Sequence, residues 1–364
     1  MIPKGAFFDC EDGKKIVLPR QWPLWKKITT SMVSLFPVAT IMYTTTSLST
    51  AVPVVPALFA TSKSLASLSF SIPFLGMTSA PLYAPYLSER FGHKPVLLVY
   101  FLLYGTVVLG LTFAHTMGQL LLLRFLIDLL GGPCIVMAEG TLRQLWPPER
   151  RMIYYAVLAF VQYIGAAAGW LVGNVVLQVF GLPYLSITAL LYASFTLAAL
   201  FFVPETSVRK ILKQQMDEVD EMDRWWRPAV FWATTVELVR GGVLQPLRML
   251  VRDPIVIVCS LYLALNYAIV FQFFISGPIL LKDKYGFTFG QTSLAFLGMI
   301  IGAMISLTSN ISVDLLSAWK GPRDAFGKPR TENRLLPALT GGPDAFLRAL
   351  RCGLHGQYQF QREC

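Results

Sequence analysis

Charge is scarce in this chain. Asp, Glu, Lys and Arg make up only 14% of its 364 residues, against roughly a quarter in a soluble globular domain. That shortage excludes a disordered polyelectrolyte and a basic nucleic-acid-binding protein, so no nucleic-acid partner is expected. Histidine is rarer still. His93, His115 and His355 all fall outside the long apolar runs, which leaves no His cluster for an intramembrane enzyme. The cysteines Cys10, Cys134, Cys259, Cys352 and Cys364 show no metal-ligand spacing, and two of them sit within apolar runs, so neither a metal site nor a disulfide framework is read. A Walker-type Gly-rich loop is also missing. No cofactor, no metal and no enzymatic activity are expected.

Apolar residues are abundant instead. The hydrophobic set is 54% of the chain and the mean hydropathy is +0.55, values that suit a chain solvated mostly by lipid. A spanning helix needs about 20 predominantly apolar residues. Eight such stretches are predicted, at 29–51, 66–87, 95–114, 119–142, 152–177, 182–203, 254–279 and 292–311. The first 28 residues are polar and of mixed charge, unlike a signal peptide.

Basic residues set the expected orientation. Lys14, Lys15, Arg20, Lys26 and Lys27 precede the first span. Arg90 and Lys94 lie between the second and third, and Arg143, Arg150 and Arg151 between the fourth and fifth. The alternate connections carry little beyond Lys63, Lys282 and Lys284. The N-terminus and the long loops are therefore expected in the cytosol. Within 204–253, the stretch from Trp225 to Leu250 holds Glu237, Arg240 and Arg248, which makes a span costly. It reads as an amphipathic helix at the interface, with Trp225, Trp226 and Trp232 at headgroup level. After Ile311 the chain turns to charge, Pro and Gly, and reads as a poorly ordered cytosolic tail.

Several separated blocks carry a family resemblance. The connection Ser88-Glu89-Arg90-Phe91-Gly92-His93-Lys94-Pro95 pairs a glycine that permits a tight reversal with an acid able to dock on a helix N-terminus and basic anchors. The fourth span holds Arg124, Asp128, Gly131, Gly132 and Pro133; Gln21-Trp22-Pro23 precedes the first span and Val203-Pro204-Glu205-Thr206 closes the sixth. Together these resemble the major facilitator superfamily, and most closely its fungal drug:proton antiporter branch. The resemblance implies an all-α polytopic membrane protein whose twelve spans form two six-helix halves. It implies secondary transport driven by a proton gradient, with a small amphipathic drug, toxin or secondary metabolite as substrate and the bilayer as solvent, in a monomer.

The chain departs from that pattern. Pro85 stands where the loop motif has Gly, and Asp128 where a small residue is usual. In the fifth span the antiporter motif's Gly-Pro and paired Gly become Gly169-Trp170 and Gly173-Asn174, which weakens the inference of antiport. Gly165, Gly169 and Gly173 still make a smooth stripe for close helix packing. No apolar helix follows the eighth span, so the second half is expected to be incomplete: 1–28 cytosolic, 29–203 the six-helix bundle, 204–253 a central loop, 254–311 two further spans and 312–364 a tail. A transport-inactive or regulatory membrane protein is the rival expectation. The plasma membrane is the expected location, with the vacuolar membrane as the alternative.

Ionisable residues inside spans are functional candidates by default. Arg124 and Asp128 are about 40° apart on one helix, and Asp128 and Glu139 about 20° apart and about 16 Å along the axis. The three are therefore expected on one inward face, Arg124 pairing with Asp128 and Glu139 with Arg90 or Arg143. They form either a proton path or a self-neutralising ion pair. The first span is rich in hydroxyls, Thr40, Tyr43, Thr44, Thr45, Thr46 and Ser47 among them, which either line a cavity or bond to their own helix. Tyr43, Thr44, Gln162, Asn174, Tyr262, Asn266, Tyr267 and Gln272 are the candidates for contacting a substrate at the midplane.

Overall fold

The computed structural model describes residues 19–147, 151–202, 204–206, 241 and 244–320. Among them the chain is helical throughout, with no strand. A 3-10 turn at Pro19–Gln21 leads into α1 (Leu24–Ser49), a short α2 (Val55–Phe59), α3 (Lys63–Phe91), α4 (His93–Leu111), α5 (Met117–Leu145), α6 (Arg151–Val179) and α7 (Leu182–Phe201). Then come α8 (Gln245–Arg252), α9 (Pro254–Tyr285), α10 (Phe289–Ala295) and α11 (Leu297–Lys320). Among the described residues, eight stretches are long and apolar enough to cross a membrane, and each coincides with a predicted span.

The helices outrun the apolar runs that betray them. The first begins at Leu24 rather than 29, directly after Pro23, because backbone hydrogen bonding continues beyond the hydrocarbon edge where apolar composition stops. The same reason carries α3 to Phe91 and α9 to Tyr285. Within the eighth span a single turn residue, the buried Phe296, separates α10 from α11 while keeping a right-handed helical backbone at φ −71° and ψ −12°. The residues 207–240 and 321–364, with Trp225, Trp226, Trp232 and the tail, lie outside the described residues, as do the side chains of Glu89 and Arg90. Of the expected interfacial stretch, α8 is described and every one of its residues is exposed.

Six helices pack as one bundle. The tightest partners are α3 with α5 and α1 with α6, followed by α4 with α5 and α7. Glycine makes these approaches possible. A Cβ on Gly76 would meet the Phe125 carbonyl at 2.6 Å, and one on Gly132 would meet Ala80 at 2.6 Å. Gly165, Gly169 and Gly173 all face α1, where added Cβ atoms would run into Ala39, Tyr43 and Ser47. Only one residue, Gly92 at φ 95°, separates α3 from α4, a conformation that favours glycine. α9 touches this bundle with few residues, whereas α10 and α11 lie along α6.

Candidate functional site

α5 carries a buried cationic and a buried acidic side chain, Arg124 and Asp128. With Thr45 and Leu48 of α1 and Ser69, Phe70 and Pro73 of α3, they line a small cleft. It has room for about one water molecule.

Proline explains how Arg124 is held. Pro73 has no N–H, so the carbonyl of Ser69, four residues back, loses its helical donor. Arg124 Nη1 supplies one, at 3.0 Å, and also reaches Ser69 Oγ at 3.2 Å. Its Nη2 donates to the Leu48 carbonyl at the end of α1. One guanidinium thus joins three helices through charge-assisted bonds, the stronger kind.

The expected Arg124–Asp128 ion pair is not formed. Asp128 Oδ1 instead accepts from Thr45 Oγ1 at 3.0 Å, and neither Asp128 Oδ2 nor Arg124 Nε has a hydrogen-bond partner. The Ser69 carbonyl orphaned by Pro73, together with the Leu48 carbonyl, takes the guanidinium, which accounts for the difference. Thr45 Oγ1 lies 3.0 Å from the Ile41 carbonyl as well. A hydroxyl has one hydrogen, so it cannot serve both acceptors fully. With Asp128 ionised, Thr45 turns to the carboxylate. With Asp128 protonated, the acid can donate to Thr45 while Thr45 serves Ile41.

Glu139 does not join them. It shares the angular stripe of Asp128 but is exposed, because the neighbouring helices that cover the stripe at Asp128 do not cover it there. Among the described residues it forms no ion pair with Arg143, and the side chain of Arg90, its other expected partner, lies outside them.

At the α3–α4 turn, the docking acid is Glu205. Its carboxylate accepts from the backbone N–H groups of His93 (3.0 Å) and Lys94 (3.4 Å), the orphan donors that open α4. Lys94 Nζ returns a bond of 2.9 Å to the Phe201 carbonyl at the end of α7. His93, expected outside the spans, is buried as the first residue of α4, with Nε2 3.4 Å from Gln144. The motif residues His93 and Lys94, directly after Gly92, are therefore tied to the end of the sixth span. In the sequence Glu205 reads only as part of the block that closes the sixth span. The available signal was an acid just beyond one helix end, at the level of another helix's uncapped start.

The candidate substrate contacts scatter. Thr44 is fully buried and accepts from Tyr104 at 2.7 Å, and Tyr43 packs on Tyr192 at 4.4 Å between ring centroids; both are placed in helix packing. The other hydroxyls of α1 mostly bond to their own carbonyls, as Thr40, Thr46 and Ser47 do. Asn266 bonds to the carbonyl of Tyr262 on its own helix. Tyr262, Tyr267 and Gln272 are exposed, and Gln162 is half-buried. Asn174 is buried and donates to Ser293 at 2.5 Å, across to α10.

The sequence profile of the Major Facilitator Superfamily matches residues 35–327. The chain is similar to the citrinin biosynthesis cluster MFS transporter mrr1 of Monascus ruber, 26% identical over 88% of this chain and 66% of that protein. It is similar to the MFS-type transporter atr4 of Stereocaulon alpinum, 29% identical over 88% and 59% respectively. It also resembles the cercosporin MFS transporter CTB4 of Cercospora nicotianae, 25% identical over 89% and 64%. The chain thus spans less than two thirds of the length of these relatives. Among solved structures, the proton:xylose symporter XylE shares the fold, with a TM-score of 0.59 at 16% identity over 82% of this chain and 71% of the other.

Proposed function

The chain belongs to the Major Facilitator Superfamily and is a multi-pass membrane protein, and from that premise we propose that it performs secondary active, proton-coupled efflux of a small amphipathic secondary metabolite. The observation that carries the coupling is Asp128, buried in the cleft with Oδ2 unbonded. A proton gained or lost there changes the charge of the cleft by one unit and reassigns the Thr45 hydrogen between two helices. Arg124 stays fixed by carbonyls, so it supplies a constant positive field rather than a partner that moves.

The substrate class rests on relatives named for citrinin and cercosporin. The reading places it in the plasma membrane as a monomer, with its N-terminus in the cytosol on the strength of the basic residues, Lys26 and Lys27 among them, that precede the first span. The residues 29–203 make one half of the alternating pair and 254–311 the opening of the other. The test is citrinin accumulation by inside-out vesicles bearing the chain, with and without an imposed proton gradient. Gradient-dependent uptake abolished by Asp128→Asn supports the reading, whereas uptake indifferent to the gradient removes it.

One observation favours the second reading, a transport-inactive or regulatory membrane protein. The most apolar stretch of the seventh span has none of its residues buried, and that of the eighth has 11%. The second wall of a cavity is not assembled among the described residues. Gradient-driven uptake by this chain alone excludes that reading.

A further inference from the structure

The two fifth-span positions that depart from the antiporter motif, Trp170 and Asn174, both face the second half. The indole of Trp170 is stacked on Phe296, with ring centroids 4.6 Å apart and planes 4° from parallel, and on Phe274 at 6.5 Å and 12°. Phe274 and Phe296 stack on each other at 5.7 Å. One turn further along α6, Asn174 bonds to Ser293 at 2.5 Å. Trp170, Asn174 and their three partners are all buried. Aromatic stacks of this kind contribute beyond their area.

This cluster lies toward one end of the molecule. Trp170 and Asn174 are in the last third of α6. Ser293 and Phe296 follow closely on the turn from α9 to α10, where Gly286 has φ 64°. At the opposite end of α9, Ile255, Val258 and Leu261 are exposed. The cluster also reaches the charged cleft. Phe70, which lines the cleft, packs on Phe74 at 5.2 Å, and Phe74 packs on Phe271 at 4.3 Å. Parting α6 from α10 and α11 would open a way from that end toward Asp128.

We propose that Trp170 with Phe274 and Phe296, latched by Asn174 and Ser293, forms an outer seal that closes the route between the Arg124–Asp128 cleft and the extracellular side. The proposal rests on the orientation given above, and it assigns a use to the two residues by which the fifth span leaves its family's pattern. A flat aromatic stack suits a contact that must break and re-form, because it interlocks no side chains.

The test places a reporter thiol beneath the seal. Ala166, one turn before Trp170 and buried in the same cluster, is replaced in Ala166→Cys, in a chain whose native cysteines are changed to alanine. Sealed cells are treated with a membrane-impermeant maleimide. Labelling is expected to be slow with Trp170 and with Trp170→Phe, and roughly fivefold faster with Trp170→Ala. Equal rates in all three overturn the seal, as does faster labelling seen only from the cytosolic side of inverted vesicles. Should Trp170→Ala fail to reach the membrane, Asn174→Cys with Ser293→Cys replaces it. Oxidation of that pair, before the maleimide step, must slow labelling of the reporter, and an unchanged rate counts against the seal. None of these measurements uses efflux, so a chain that is sealed but does not transport separates this proposal from the transport reading.

Discussion

Arg124 occupies the carbonyl that Pro73 leaves unserved. Its Nη1 donates to Ser69 at 3.0 Å, and the same two helices exchange the favour in reverse. Pro133 strips the Leu129 carbonyl of α5 of its donor, and the Tyr83 hydroxyl of α3 fills it at 2.7 Å. Each helix of the tightest pair in the bundle thus repairs a proline defect in the other. Two gaps in the helical hydrogen-bond ladders that would weaken isolated helices become specific contacts between them.

Arg124→Ala is expected to destabilise the bundle by about 2–3 kcal/mol, because it removes charge-assisted bonds to two helices and leaves the Ser69 carbonyl, already deprived of a helical donor by Pro73, unserved. Arg124→Lys should recover little, since one ammonium lacks the planar fork that reaches two separated oxygens. Thermal unfolding of both variants in detergent measures this, and full recovery by lysine would show that charge alone suffices.

Pro73→Ala returns an N–H to α3 that competes with Arg124 for Ser69. The variant should fold, and its guanidinium should become free to pair with Asp128. Adding Arg124→Ala to Pro73→Ala should then cost less than Arg124→Ala alone, with a coupling of about 1 kcal/mol in a double-mutant cycle. Additive costs would mean that the proline and the arginine act independently.

Tyr83→Phe removes a single bond to Leu129 and should cost about 1 kcal/mol. In a Pro133→Ala background, where the helix serves that carbonyl itself, the same change should be nearly neutral. Unfolding midpoints of the four proteins decide the matter.

Asp128→Asn keeps a hydrogen-bonding group facing Thr45 but cannot carry a proton. Membrane insertion should be unchanged, stability should move by about 1 kcal/mol or less, and efflux should lose its dependence on the proton gradient. Thr45→Val should weaken the coupling more than Thr45→Ser, which retains the shared hydroxyl. Equal efflux by Asp128→Asn and the parent across a pH series would take Asp128 off the proton path.

Glu205→Ala uncaps α4 and should cost about 1 kcal/mol, with Glu205→Gln intermediate. Hydrogen exchange at His93 and Lys94 reports it directly, and unchanged protection at both amides would show that the carboxylate does not hold the turn.

Much of the fold was legible because lipid imposes it. Apolar length alone marks the eight spans, and the glycines of α6 announced a close neighbour by their spacing of four. The site was harder. Helical angle correctly put Arg124 and Asp128 on one stripe, but an angle says nothing of competing acceptors, and Pro73 supplies one from another helix. Glu139 illustrates the same gap, since a stripe can be covered at one level and open at another. The hydroxyls of α1 could line water or bond to themselves, and only the positions of α4 and α7 resolve them. Glu205 depends on two elements separated by more than a hundred residues, which no local pattern connects.

Phe296 interrupts the eighth span without unwinding it. Its backbone keeps a right-handed helical conformation, at φ −71° and ψ −12°, while its ring reaches Trp170. Because α10 and α11 both lean on α6, a push on the aromatic cluster is passed along the whole rod rather than absorbed at a joint.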